Sequence, residues 1–136
     1  MIRKIDDISV NYIEEGEGDV VLLLHGWGAN ITLYQGIIDT LKRGRRVIAL
    51  DLPGFGKTPE PERPWCVDDY VDFVLKFIAS FRLKKLSVVV HSFGGRVFFK
   101  MNARKNLSFV VDRVVLIDSA GILPKKTLRQ KISLRC

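Results

Sequence analysis

The residues best suited to chemistry lie in two short stretches, His25-Gly26-Trp27-Gly28 and Val90-His91-Ser92-Phe93-Gly94. Ser92 stands between an apolar run, Leu86–Val90, and a helical pattern, Phe93–Arg104. A serine on such a turn is held with its hydroxyl pointing out of the backbone. The amides opening the helix favour negative charge that develops beside it. The stretch is close to the G-x-S-x-G pattern of a nucleophilic serine in a strand-to-helix context. A serine that merely caps the helix is the plainer reading of the same position.

The first stretch supplies what a serine nucleophile needs next. Gly26 and Gly28 let the backbone turn sharply and approach a ligand closely. The Trp27 amide would then face a reacting carbonyl, and the Phe93 amide would be a second donor. Together they would form an oxyanion hole, whose members are typically worth about 3 kcal/mol each. His25, Gly26 and Gly28 are the residues expected to support that loop. Alone, H-G-x-G is only a turn; its weight comes from the pairing with Ser92.

Other patterns fail on inspection. Gly56-Lys57-Thr58 resembles the end of a phosphate-binding loop, but Asp51 stands where the first glycine is required, and a carboxylate would repel phosphate. Ile31 and Pro59 replace the third glycine of any G-x-G-x-x-G. No cluster has metal-ligand spacing, and no metal or cofactor is expected. Cys66 and Cys136 are far apart in sequence and read as reduced thiols without a role.

The elements that must position these residues follow from apolar patterning. Ile2–Ile5 and Ile8–Ile13 flank Asp6-Asp7 as a β-hairpin. Val20–Leu24, Val47–Leu50, Leu86–Val90 and Val114–Ile117 are solid apolar runs, as expected of strands covered on both faces. Helices are expected at Thr32–Lys42, with Leu33, Ile37 and Leu41 inward, and after Cys66, with Val67, Tyr70, Val71, Val74, Leu75, Ile78 and Phe81 inward. Cys66 and Asp69 have the spacing of a capping box, with sulfur replacing the better hydroxyl acceptor. Asp51–Pro64, rich in glycine and proline, is loop. Strand–helix alternation predicts an α/β fold: a mostly parallel sheet of about six strands with an N-terminal hairpin and helices on both faces. Ligands in such sheets sit at the carboxyl ends of the strands, where His25, Asp51, Ser92 and Asp118 all fall.

With these residues in view, the sequence resembles the α/β-hydrolases, most closely their lid-bearing carboxylesterase and carbon–carbon hydrolase branch. His25-Gly26-Trp27-Gly28, Asp51-Leu52-Pro53-Gly54-Phe55-Gly56 and His91-Ser92-Phe93-Gly94-Gly95 occur in the family's order and approximate spacing. Val115–Gly121 fits the strand that follows. The resemblance covers the chain from residue 1 and implies the N-terminal half of the fold. It implies an ester, thioester or C–C bond as target, Ser92 as nucleophile, and Trp27 and Phe93 as oxyanion amides. By the same resemblance, residues 1–121 are core and the basic stretch 122–136 begins a lid.

Two departures stand out. Val90 occupies a position where the family prefers Gly or Ala, at an expected cost of roughly 1–3 kcal/mol where strand and helix cross. The triad is also incomplete. In the family the acid and histidine follow the serine, whereas both histidines here, His25 and His91, precede it. Asp118 stands where some members place their acid, but without a histidine to orient, a structural role is the simpler expectation. A non-catalytic remnant or binding module is therefore the alternative to a serine hydrolase.

The chain has 136 residues and a net charge of +7. Part of the excess lies in Lys125, Lys126, Arg129, Lys131 and Arg135, and no nucleic-acid motif accompanies it, so nucleic acid is not an expected partner. No apolar run reaches the ~18 residues of a membrane span, and the charged start lacks a secretory stretch, so a cytoplasmic location away from membranes is expected. The expected partner is a small ester-like substrate. The Val114–Ile117 strand, left at the sheet edge, is expected to favour self-association.

Overall fold

The computed structural model describes residues 1–118. Its strands are β1 (Ile2–Ile5), β2 (Ile8–Glu15), β3 (Val20–Leu24), β4 (Arg46–Leu50), β5 (Lys85–His91) and β6 (Val110–Ile117). Its helices are α1 (Gln35–Leu41), α2 (Val67–Ser80) and α3 (Phe93–Asn102), with one 3-10 turn at Ile31–Tyr34. The six strands form one sheet in the order β1-β2-β4-β3-β5-β6. The hairpin joins antiparallel through β2 and β4, and β4, β3, β5 and β6 run parallel. This is the expected α/β sheet with its N-terminal hairpin.

Side-chain alternation along the central strands divides the core in two. Leu22 and Leu24 of β3, Ile48 and Leu50 of β4, and Val88 and Val90 of β5 pack on one face with α2 and α3. Val21, Leu23, Val47, Ala49 and Val89 point to the other face, where Ile38 of α1 closes over them. All five residues of β3 are buried, which is why its sequence is unbroken by polar residues. Burying each Leu or Val there is worth about 1.5–3 kcal/mol.

Helix α2 forms as its periodicity requires. Tyr70, Val71, Val74 and Ile78 are buried with Phe73 and Phe77, while Val67, Leu75 and Phe81 pack at the margin. The Cys66 amide donates to Asp69 Oδ2 at 2.9 Å, closing the first turn. Cys66 is not a free thiol, so the expectation of a reduced cysteine is not met there; Cys136 lies outside the described residues.

Two expectations are corrected. The helix expected over Thr32–Lys42 begins instead as a 3-10 turn, capped by Asn30 Oδ1 accepting from the Thr32 amide at 2.9 Å. A 3-10 turn advances three residues per turn rather than 3.6, which rotates the segment. The buried side chains are Ile31, Tyr34 and Ile38, and Leu33 is 71% exposed. The strand expected at Val114–Ile117 starts four residues earlier, at Val110, and is not buried. Val110, Val114, Val115 and Leu116 are all exposed along the sheet edge. The proposed lid segment 122–136 lies outside the described residues. No described helix is long and apolar enough to cross a membrane.

Candidate active site

Ser92 is the junction between β5 and α3. Its backbone sits at φ +50, ψ −113, a region that side-chain-bearing residues rarely occupy. Strain of this kind persists only where the surroundings hold it. Here the Ser92 amide donates to the Ile117 carbonyl of β6 at 3.1 Å, and the Ser92 carbonyl accepts from the Gly95 amide at 2.9 Å. The elbow is thus tied to the neighbouring strand on one side and to the first helical turn on the other.

Gly94 permits the tight packing of that turn. A Cβ on Gly94 would lie 2.3 Å from the Leu24 carbonyl oxygen and 2.8 Å from that of His25. The start of α3 therefore rests directly on the backbone at the end of β3. Val90, two residues before Ser92, is fully buried among the side chains of the α2–α3 face and pairs in register with Leu24 and Leu116.

The His25–Gly28 stretch forms a turn beside this elbow, closed by the Ala29 amide donating to the Gly26 carbonyl at 3.1 Å. Gly28 takes φ +74, so glycine is needed for backbone conformation rather than for space. Gly26 is needed for space. A Cβ there would lie 3.3 Å from Ser92 Cβ and 3.2 Å from His91 Nδ1. The Trp27 and Phe93 rings meet edge to face with centroids 5.1 Å apart. The Phe93 amide opens α3, where the helix itself offers it no acceptor.

Both histidines are engaged. His25 is fully buried. Its Nε2 accepts the Leu52 amide at 2.9 Å, which leaves Nδ1–H to donate to the Gly26 carbonyl at 2.7 Å. Burial pushes its pKa down, opposed by the bond to Gly26 and by the charge of Asp51. A neutral ring thus clamps the turn after β3 to the loop after β4. His91 lies 2.6 Å through Nδ1 from the Tyr34 hydroxyl, whose oxygen accepts the Gly26 amide at 3.1 Å. Tyr34 therefore ties the Gly26 turn to the residue preceding Ser92.

Asp51, almost fully buried, organises the loops around the same end of the sheet. Its Oδ1 accepts the Ile31 amide at 2.8 Å, and its Oδ2 accepts Asn11 Nδ2 at 2.9 Å and the Lys57 amide at 3.0 Å. Gly56 packs so closely that a Cβ would lie 2.3 Å from this carboxylate. The Thr58 hydroxyl accepts the Asn11 amide at 3.0 Å. The Lys57 amide that a phosphate loop would offer to its ligand is spent on a carboxylate. Asp118, one residue past the strand that holds the Ser92 amide, is exposed at φ +41.

The structure brings Gly26, Trp27, Ser92 and Phe93 together, with His25 behind them. Tyr34, Asn11 and Thr58 were missed in the sequence. Tyr34 had a signal, the Ile31–Tyr34–Ile38 spacing, which competes with the Leu33 register. Asn11 and Thr58 had none, since each acts through a contact distant in sequence.

A family model of the α/β hydrolase fold matches residues 19–133. A 2-hydroxy-6-oxo-6-(2'-aminophenyl)hexa-2,4-dienoic acid hydrolase of Metapseudomonas resinovorans is 33% identical over 120 residues, which are 85% of this chain and 41% of that protein. A 2-hydroxy-6-oxo-2,4-heptadienoate hydrolase of Pseudomonas putida is 31% identical over 119 residues, 85% of this chain and 42% of that one. A solved meta-cleavage product hydrolase from Pseudomonas fluorescens superposes with TM-score 0.77 at 33% identity, over 85% of this chain and 43% of its own. The chain spans about two-fifths of the length of these relatives.

Proposed function

The chain belongs to the α/β-hydrolase fold family, and we propose that it carries the nucleophile half of a serine hydrolase acting on ester, thioester or C–C bonds. Ser92 attacks a substrate carbonyl, and the Trp27 and Phe93 amides receive the oxyanion. One observation carries this reading: Ser92 is held at positive φ on the strand–helix junction, with the Gly26 turn in van der Waals reach of its Cβ. Strained backbone concentrates at functional sites, and a serine serving only as a helix cap has no need of it.

A serine needs a base to become a good nucleophile. His25 is closed off by Leu52 and Gly26, and His91 is turned to Tyr34. The base therefore comes from sequence or a chain beyond this one, with Asp118 left as a candidate acid, and turnover by this chain alone is weak or absent. The engagement of both histidines also favours the second reading, a non-catalytic remnant or binding module.

A fluorophosphonate probe separates the two. This chain alone should label slowly. Supplied with a C-terminal half carrying Asp and His, it should label rapidly, and the Ser92→Ala variant should not. Labelling that survives Ser92→Ala, or never rises with the complement, defeats the hydrolase reading.

A further inference from the structure

The two tryptophans of the chain, Trp27 and Trp65, border a single cleft of about 510 Å³. Phe55 and Tyr70 complete its aromatic walls. Trp65 and Tyr70 meet at 80° with centroids 5.0 Å apart, and Trp27 meets Tyr70 at 79° and 6.4 Å. Rings set edge to face around one space present π faces to it as well as edges. The Tyr70 hydroxyl donates to the Pro53 carbonyl at 3.1 Å, so it is already committed.

The charges around this cleft are unequal. Glu60 and Glu62 line it, and both are exposed with no ion pair found for either among the described residues. Among the described residues Arg63 is its one cationic lining residue, and both guanidinium nitrogens are taken up by the Asp69 carboxylate at 3.1 and 2.8 Å. A neighbouring cavity of about 640 Å³ shares Glu60, Glu62, Arg63 and Trp65 and adds Asp7 and Asp6, the latter paired with Lys76 at 2.8 Å. In a chain of net charge +7, the described residues lining this corner carry more carboxylates than cations. An anionic ligand would find Arg63 already neutralised and two carboxylates opposing it.

We propose that the cleft is a binding site for an organic cation, a quaternary ammonium or protonated amine carried on a small aromatic or apolar body. Ring faces attract such a cation through their quadrupoles, by about 0.5–1 kcal/mol at a solvent-exposed site such as this one. Glu60 and Glu62 add long-range attraction that salt weakens. The inference goes beyond the acyl-transfer reading and does not rest on it, because binding here requires no reaction at Ser92.

Because both tryptophans line the cleft, intrinsic fluorescence reports it directly. The full 136-residue chain is titrated with phenyltrimethylammonium and, in parallel, with its uncharged isostere tert-butylbenzene. A saturable emission change is expected, at least about 5-fold tighter for the cation, as cation–π attraction of ordinary strength gives. The Glu60→Gln/Glu62→Gln double variant, altered only at exposed positions, should weaken cation binding roughly 3- to 10-fold and flatten its salt dependence. Trp65→Leu, with folding checked by circular dichroism, should weaken it similarly. Equal affinity for the two isosteres, no saturable change, or cation affinity untouched by both variants overturns the proposal. Loss of probe labelling at Ser92 leaves it standing.

Discussion

A methyl group on Gly94 would stand 2.3 Å from the carbonyl oxygen of Leu24. That contact is backbone on backbone, so neither side can rotate away. Gly94→Ala should cost about 2–3 kcal/mol or more, read as a lower urea midpoint. Gly26→Ala meets side-chain atoms at 3.2 and 3.3 Å instead and should cost less stability while displacing the turn from Ser92. If Gly94→Ala unfolds at the parent midpoint, the close crossing of α3 over β3 is wrong.

Tyr34→Phe removes one hydroxyl and strands two partners, the buried Gly26 amide and His91 Nδ1. An unsatisfied buried donor costs about 1–3 kcal/mol. The variant should lose that much stability, and the Gly26 amide should exchange with solvent markedly faster. Unchanged amide protection would mean that Tyr34 does not hold the turn.

Ser92→Gly should be more stable than Ser92→Ala by about 1 kcal/mol, because only glycine relieves the positive φ. Chemical denaturation of the two variants makes the comparison, and equal stabilities would argue against strain at the elbow.

His25 is held neutral, with its pKa below the ordinary 6.5. The unfolded chain therefore takes up this proton first, and stability falls as pH drops. His25 contributes fully above about pH 6.5 and loses its contribution progressively below it, down to its depressed folded pKa. Unfolding free energies measured from about pH 7.5 to 5 stay above the range where exposed carboxylates titrate. The slope in that window should be shallower in His25→Gln, and an identical slope would place the proton elsewhere.

Among the described residues β6 has a sheet neighbour on one side only, and its exposed apolar edge should drive self-association, since such a strand offers its amides and carbonyls to another chain. Val114→Lys with Leu116→Lys should shift sedimentation toward monomer. A parent chain that sediments as a stable monomer at the same concentration removes the premise.

Much of this architecture was legible because it rests on periodicity. The unbroken Val20–Leu24 run marks a strand buried on both faces, and β3 has those bounds. The α2 stripe is equally plain because a long helix averages out single departures. The segment near Leu33 misled because a few residues of 3-10 turn shift the phase, and no alternation reveals that. The start of β6 was hidden by Asp112 and Arg113, which interrupt the apolar run; an edge strand tolerates them because its side chains meet solvent. At the candidate site, the setting of Ser92 was readable from a strand abutting a helix. The bonds through Tyr34, Asn11 and Thr58 were not, because they join residues 8 to 57 positions apart.

Asp51 fastens the chain at Lys57, and Thr58 fastens it again to Asn11, before the Pro59–Trp65 segment departs to shape the aromatic cleft. The segment thus starts from fixed points, and it meets the turn that faces Ser92 through rings alone, Trp65 on Tyr70 and Tyr70 on Trp27 and Phe93. Rewriting the loop residues at Glu60 and Glu62 would change the charge of the cleft and leave those ring contacts in place, whereas a change at Trp65 would be felt as far as Trp27 and Phe93.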